Sequence, residues 1–137
     1  ETTVRMLEDN PLFNAGRGAV FTAAGTNELD AAIMDGATLR AGAVASVSRV
    51  RRPGRAARAV MEAAEHVLMA GAGAEAFARR HGLEMVEPDF FSTEARRDQL
   101  RLRGAAGVLG DDDRDAVPVE QGALLGRAPV DVRVNRL

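Results

Sequence analysis

The sequence predicts one α+β domain, because short apolar stretches punctuated by glycines come first and helical patterns follow them. The stretches at 19–22, 29–34 and 40–47 are rich in alanine, valine and isoleucine, which is typical of neighbouring strands joined by tight turns. After Pro53 the apolar residues recur at helical spacing. The 137 residues, 46% of them hydrophobic, are enough for one domain with a buried core.

The second predicted strand has two different faces. Leu29, Ala31 and Ile33 form an apolar series, and the residues between them are mainly small. Because successive side chains of a strand point to opposite faces, this pattern predicts a strand that is packed on both sides.

Four helices are predicted around these strands. They cover residues 1–9, the segment from Pro53 to about His66, residues 74–81, and residues 93 to about 103. Gly82 is placed as a left-handed terminator of the third helix, and Ser92 and Thr93 are candidate caps of the fourth. We expect the strands to precede the last three helices and the second helix to cover one face of the sheet.

Composition excludes several classes of function. The absence of cysteine removes disulfides, thiol catalysis and thiolate metal sites. No window approaches the roughly 18 apolar residues of a membrane helix, and no signal peptide is recognisable, so we expect a cytoplasmic chain without a membrane partner. One basic cluster raises the question of nucleic acid: Arg49, Arg51, Arg52, Arg55 and Arg58. With a net charge of −2 and no tyrosine or tryptophan for stacking, we expect a solvated surface there and no nucleic-acid partner.

Five segments resemble, in order and near-family spacing, the α-chain of plant-type L-asparaginases. They read LEDNPLFNAGRGAVFT (7–22), ELDAAIMDG (28–36), TLRAGAVASVS (38–48), HVLMAGAGAEAFA (66–78) and FFSTEARRDQL (90–100). Members of that family are also isoaspartyl aminopeptidases, and they belong to the N-terminal-nucleophile hydrolases. The resemblance implies that residues 1–103 are a partial α-chain domain of a four-layer αββα sandwich, incomplete without an amino-terminal strand and the β-chain. Residues 104–137 are predicted to be a flexible, acidic, glycine-containing tail or linker.

This incompleteness leads to an expectation about the surface. A missing strand and a missing facing layer should leave an apolar sheet face uncovered. We expect that face to carry Leu29, Ile33, Val44 and Val47.

The resemblance also implies the chemistry. The family hydrolyses L-asparagine and β-aspartyl peptides with a threonine at a newly cut amino terminus, whose free amine activates its own hydroxyl. We expect that threonine to lie on the β-chain of the same precursor, in an (αβ)2 assembly, and the isolated chain to be inactive. Among the threonines here, only Thr26 follows a glycine. It falls in a predicted turn, which argues against cleavage at Gly25.

Two family features correspond to residues of this chain. The family's sodium-binding loop uses main-chain carbonyl oxygens, and the matching positions are Leu7, Glu8, Asn10, Phe13, Ala15 and Arg17. Asn14 matches an asparagine that helps to position the nucleophile. No organic cofactor is implied. From the residues alone, an ordinary helix-ending turn built around Asn10-Pro11 and two glycines is the favoured interpretation of the loop, and Asn14 is a turn residue. The resemblance brings the sodium site and the ordinary turn to near parity.

Other candidates favour structural roles. His66 is interpreted as a partly buried or capping residue, and His81 as a surface residue at a helix end. Asp30 and Asp35 should point to opposite faces of a strand and not converge on a metal. The acidic run from Asp111 to Asp115 lacks the spacing of a calcium-binding loop.

Two alternatives to an asparaginase α-chain stay open. The first is the glycosylasparaginase branch of the same superfamily. The second is a truncated, non-catalytic remnant that acts as a partner of a full-length homologue.

Overall fold

The computed structural model describes residues 1–105 of the chain, and the acidic run from Asp111 to Asp115 and almost all of the predicted tail lie outside them. In chain order the elements are α1 (Thr2–Asp9), β1 (Leu29–Met34), β2 (Ala41–Val47), α2 (Pro53–Ala63), β3 (Leu68–Ala70), α3 (Gly71–Arg80) and α4 (Glu94–Ala105), with a 3-10 turn at Pro88–Phe90 before α4. The four predicted helices and the strands predicted at 29–34 and 40–47 are confirmed. Gly82 is left-handed, with a φ of 69°, as predicted for a residue that ends α3.

The described strands form one mixed sheet in the order β1-β2-β3. β1 and β2 pair antiparallel, and β2 and β3 pair parallel. The parallel pair requires a crossover, and α2 supplies it. The prediction that all strands precede these helices is therefore wrong, because a three-residue strand is too short to leave an alternating pattern.

The strand predicted at 19–22 is absent. Residues 19–22 belong to no strand, and a turn follows in which the Gly25 amide donates to the Thr22 carbonyl over 3.0 Å. Side chains replace a strand here: Asn14 accepts from the Val20 amide, and Asn27 donates to the Val20 carbonyl. The apolar composition of the segment reflects burial of Ala19 and not membership of a sheet.

The core lies on one side of the sheet, where α2 packs against β1 and β2 and α3 packs against β2 and β3. Its buried apolar residues are Ala19, Leu29, Val44, Val47, Val50, Ala56, Ala57, Val60, Ala74, Phe77, Ala78 and Phe91. The close packing of β2 on α2 depends on Gly42, since a Cβ there would lie 2.3 Å from the Ala57 carbonyl oxygen.

This arrangement corrects two predictions about the sheet. Leu29, Val44 and Val47 are buried and Ile33 is half-buried, so they lie on the covered face and not on an exposed one. The opposite face of β1 carries Asp30, Ala32 and Met34, which are exposed among the described residues. β1 is thus packed on one side there, because an alternation of apolar and small residues does not reveal what covers the small face.

A β-bulge interrupts the β1–β2 ladder. The pairing passes from Leu29↔Val47 to Ala31↔Val44, so that two residues of β2 oppose Asp30. Ser46 takes a φ of 51°, and its amide donates to Asp30 Oδ1 over 2.7 Å. The carboxylate therefore binds the amide that the bulge removes from the ladder.

Candidate functional site

The loop after α1 is folded tightly onto its own backbone. The Arg17 amide donates to the Glu8 carbonyl over 2.8 Å, and a Cβ on Gly16 would lie 2.4 Å from the same oxygen. Gly18 has a φ of 94°, and a Cβ there would lie 2.2 Å from the Pro11 carbonyl oxygen. Both glycines are therefore required by close backbone approach, and they bring the two ends of the loop together.

The loop contains the carbonyl groups that the sequence assigned to a cation. The oxygens of Leu7, Glu8 and Asn10 each accept one main-chain N–H within the loop. A carbonyl oxygen has two lone pairs, so each keeps a second one for a ligand. For Phe13, Ala15 and Arg17 no such bond occurs among the described residues. Uncharged hard oxygens are the donors that alkali cations take, and the donor set fits sodium. The described residues hold no cluster of three carboxylate or imidazole groups suited to a metal.

Asn14 is an exposed side chain that is anchored at one end. Its Oδ1 accepts the Val20 amide over 2.9 Å, which fixes the plane of the carboxamide. The Nδ2 donors have no partner within residues 1–105. Such a group can donate a hydrogen bond to an oxygen presented from outside this part of the chain.

Asn27 is a buried polar residue that sequence reasoning missed. It is 3% exposed, and its Nδ2 donates to the Ala19 carbonyl over 3.0 Å and to the Val20 carbonyl over 3.1 Å. Ser92 Oγ donates to Asn27 Oδ1 over 2.8 Å. One carboxamide thus ties the segment beside Asn14 to the chain that precedes α4. The only sequence signal was a polar residue between apolar stretches, which turns also show.

The same segment is bound from α4. Arg96 Nε donates to the Gly18 carbonyl over 2.8 Å, and the Gly18 amide donates to the Phe91 carbonyl over 2.9 Å. The backbone from Gly18 to Val20 is therefore held by Asn14 and Asn27 from nearby in the chain and by Phe91 and Arg96 from far along it.

Glu8 is the second buried polar residue that the sequence did not reveal. Its side chain is almost completely buried, and its Oε1 accepts the Gly54 amide over 2.8 Å at the start of α2. Oε2 has no partner among the described residues. Burial raises the pKa of this carboxyl, although the Gly54 hydrogen bond and Arg52 lower it. The side chain joins the end of α1 to an otherwise uncapped helix start.

Four of the five arginines in the basic cluster pair with carboxylates of the same chain, and the exposed Arg55 has no ion pair among the described residues. Arg49 contacts Glu87 at 3.2 Å, Arg52 contacts Asp9 at 2.8 Å, and Arg58 contacts Glu62 and Glu1. Arg51 contacts Glu84 at 2.6 Å and lies over the Phe90 ring, 5.3 Å from its centroid. The cluster is therefore mainly a set of ion pairs, and only Arg55 of its five arginines lacks one among the described residues.

An open depression of about 370 Å³ adjoins the Asn27–Ser92 contact. Its lining is rich in small polar residues: Thr26, Asn27, Glu28, Ser46, Ser48, Asp89 and Ser92, with Gly25 and Pro88. Thr26 is in a turn as predicted, and its hydroxyl is 2.8 Å from that of Thr22. A neighbouring carboxylate, Glu75, accepts the Ser48 amide over 2.7 Å and also binds the Ser48 hydroxyl.

The remaining candidates have local structural contacts. His81 lies at the surface, stacks on Phe77 with ring centroids 4.0 Å apart, and follows α3 as predicted. His66 is exposed, so the prediction that it is partly buried is wrong; α2 ends at Ala63, before His66 can lie against the helix. Asp30 binds the Ser46 amide whereas Asp35 binds Thr38, so the two carboxylates do not converge.

The comparisons with known proteins define the class. The family model described as asparaginase matches residues 1–118, and the chain belongs to that family. It is 56% identical over 123 residues to the isoaspartyl peptidase of Salmonella typhimurium, which covers 90% of this chain and 39% of that relative. The isoaspartyl peptidase of Escherichia coli is 53% identical over 126 residues, covering 90% of this chain and 38% of the relative. The plant-type L-asparaginase of Pyrococcus furiosus is 54% identical over 99 residues, covering 72% of this chain and 31% of the relative.

Two facts limit what these matches cover. The chain spans about a third to two-fifths of the length of the curated relatives it matches. Within the described residues, no helix is long and apolar enough to cross a membrane.

Proposed function

We propose that this chain forms the α-part of an amidohydrolase that cleaves β-aspartyl peptides and L-asparagine. The nucleophile is a threonine outside this chain, freed at the amino terminus of a β-chain, and Asn14 helps to position it. The observation that carries the proposal is the match to isoaspartyl peptidases over 90% of the chain.

The geometry supports this role in two places. β1 presents Asp30, Ala32 and Met34 without a covering layer among the described residues, which suits a sheet that faces a second sheet of a four-layer sandwich. The anchored carboxamide of Asn14 keeps its donors for an oxygen supplied by another chain segment. A threonine hydroxyl at the β-chain terminus is such an oxygen.

A sodium ion bound by the loop carbonyls of residues 7–17 is part of the proposal. It would hold the loop that carries Asn14. We expect replacement of sodium by choline to lower the unfolding temperature of the chain by a few degrees, since a bound ion stabilises only the folded state. Potassium and lithium serve as size controls, and equal unfolding temperatures in all four salts would exclude the ion.

The proposed activity is tested with a chimera of the Salmonella isoaspartyl peptidase in which residues 1–118 of this chain replace the matching segment. We expect release of aspartate from a β-aspartyl dipeptide and from L-asparagine. The Asn14→Ala chimera should process and assemble but lose about 100-fold in kcat, as removal of a group that positions a nucleophile does. An inactive chimera with normal assembly would contradict the proposal.

The 137-residue chain alone is the matched control. We expect it to release no aspartate by itself, because the nucleophile is assigned to another chain. Activity of the chain alone would overturn that assignment and make Thr26 the candidate nucleophile.

A further inference from the structure

The contacts of Asn27 extend beyond its own surroundings. Its Nδ2 donates to the carbonyls of Ala19 and Val20, and the Val20 amide in turn donates to Asn14 Oδ1. The peptide groups that Asn27 holds are therefore the groups that orient Asn14. We propose that Asn27, oriented by Ser92, is a positioning residue that fixes the carboxamide of Asn14, a role that rests on the proposed function.

Ser92 and two carbonyl oxygens together fix the orientation of the Asn27 carboxamide. A carboxamide can rotate by half a turn and exchange its oxygen and nitrogen, which would point an oxygen at the two carbonyl oxygens. The carbonyl oxygens of Ala19 and Val20 can only accept, so the nitrogen stays toward them. The Ser92 hydroxyl, 2.8 Å from Asn27 Oδ1, then donates to the oxygen and holds the carboxamide in this orientation. Because Asn27 is 3% exposed, water cannot replace these bonds at low cost.

The pair Asn27 and Ser92 is called the clamp below, and contacts outside this pair fix the position of Ser92. Ser92 donates its amide to the Asp89 carbonyl at 3.1 Å and follows Phe91, a fully buried core residue. The clamp formed by Asn27 and Ser92 thus transmits the position of the core to a loop residue that has no apolar anchor of its own. Asn14 itself is exposed and makes its one described hydrogen bond to Val20.

The clamp also borders the open depression described above, which is lined by both Asn27 and Ser92. A change in the clamp therefore alters the wall of that space together with the orientation of Asn14. If the clamp were only structural, its loss would lower the stability of the whole domain. Hydrogen exchange and kinetics distinguish this case from a positioning role.

The first test uses amide hydrogen exchange of the 137-residue chain. In Ser92→Ala we expect the Val20 amide to exchange about tenfold faster, because the partly buried hydrogen bond from Ser92 to Asn27 is lost. The Ala43 amide, which donates to the Val67 carbonyl in the sheet, is the internal reference and should be unchanged. Ser92→Thr keeps a hydroxyl and should restore protection. Ser46→Ala, another serine of the depression, is the matched control.

The second test uses the active chimera. Ser92→Ala should lower kcat about tenfold with KM within about twofold, and Ser92→Thr should recover it. Asn27→Ala should lower kcat further. If the Asn27→Ala variant does not fold, the result for Ser92→Ala alone tests the proposal. Unchanged Val20 exchange in Ser92→Ala would overturn the clamp. Faster exchange with unchanged kcat would overturn its positioning role. If the chimera is inactive, the proposed function fails while the exchange data still decide the clamp.

Discussion

Residues 10–28 and the sheet with α2 and α3 both contain buried groups, yet different forces hold them. The first region has no helix or strand, and its buried positions include Gly16, Gly18 and Asn27. It is held by close backbone approach and by individual side-chain hydrogen bonds. The second region is held by apolar packing around Val44, Val60 and their neighbours. The stability of the loop therefore depends on a few specific residues, whereas the stability of the sheet depends on how well apolar side chains fill the core.

The largest expected difference in stability between the packed core and the loop comes from replacing a phenylalanine by alanine in each. Phe91→Ala should cost about 3–5 kcal/mol of unfolding free energy, because Phe91, although outside α2 and α3, is fully buried in the core that they form with the sheet. Phe13→Ala in the loop should cost less than about 0.5 kcal/mol, since Phe13 is 46% exposed. Urea unfolding of both variants checks this. Similar costs would mean that the loop is held by apolar packing after all.

The next prediction concerns a substitution to which the loop should be the more sensitive region. Gly18→Ala should cost about 3 kcal/mol, because its φ is 94° and the new Cβ would lie 2.2 Å from the Pro11 carbonyl oxygen. Gly25→Ala is the matched control: its φ is 78°, but a Cβ there meets no atom within 4 Å. It should cost only about 1 kcal/mol, the price of the left-handed conformation. Equal losses would show that loop stability does not depend on backbone contact.

Glu8 links the two regions, and its pH dependence is a third test. Burial raises its pKa in the folded chain, so folded Glu8 binds a proton more readily than unfolded Glu8. The ionised group therefore opposes folding at neutral pH, and its cost disappears as the pH falls below the raised value toward the ordinary pKa of about 4.3. Glu8→Gln should be about 1 kcal/mol more stable than the unsubstituted chain at pH 7, and this difference should shrink as the pH falls.

The control for Glu8 is Glu28→Gln, a change at an exposed glutamate. The pH dependence of the Glu8→Gln difference in stability is measured against that of this control. A Glu8→Gln difference that grows on acidification would contradict the assigned direction of the pKa shift. A loss of α2 in Glu8→Gln would show that the Gly54 hydrogen bond requires the charge.

Much of the packed region could be predicted from the sequence, and little of the loop could. Gly82 as a terminator and the candidate caps Ser92 and Thr93 helped to place α3 and α4. Apolar composition and periodicity located β1, β2, α1 and α2, because burial on one face repeats along an element. They missed β3, whose three residues are too few for a period, and they placed a strand at 19–22 where side-chain amides replace strand hydrogen bonds. Asn14 and the carbonyl positions came from family resemblance. The roles of Glu8 and Asn27 depend on partners at Gly54 and Ser92, far along the chain, and no local pattern encodes them.

The smallest effect concerns a strained residue in the packed region. Ser46 has a φ of 51° in the β-bulge, a conformation that glycine adopts without the steric cost that serine incurs. Ser46→Gly should therefore stabilise the chain by about 0.5 kcal/mol, the conformational gain being offset in part by the greater entropy of unfolded glycine. Ser48→Gly, two residues further on, should destabilise it by about 1 kcal/mol, because the hydroxyl of Ser48 binds Glu75. Opposite signs for one substitution at neighbouring serines would show that the sheet, like the loop, contains a position fixed by backbone conformation. Equal signs would mean that the Asp30 contact already compensates the strain at the bulge.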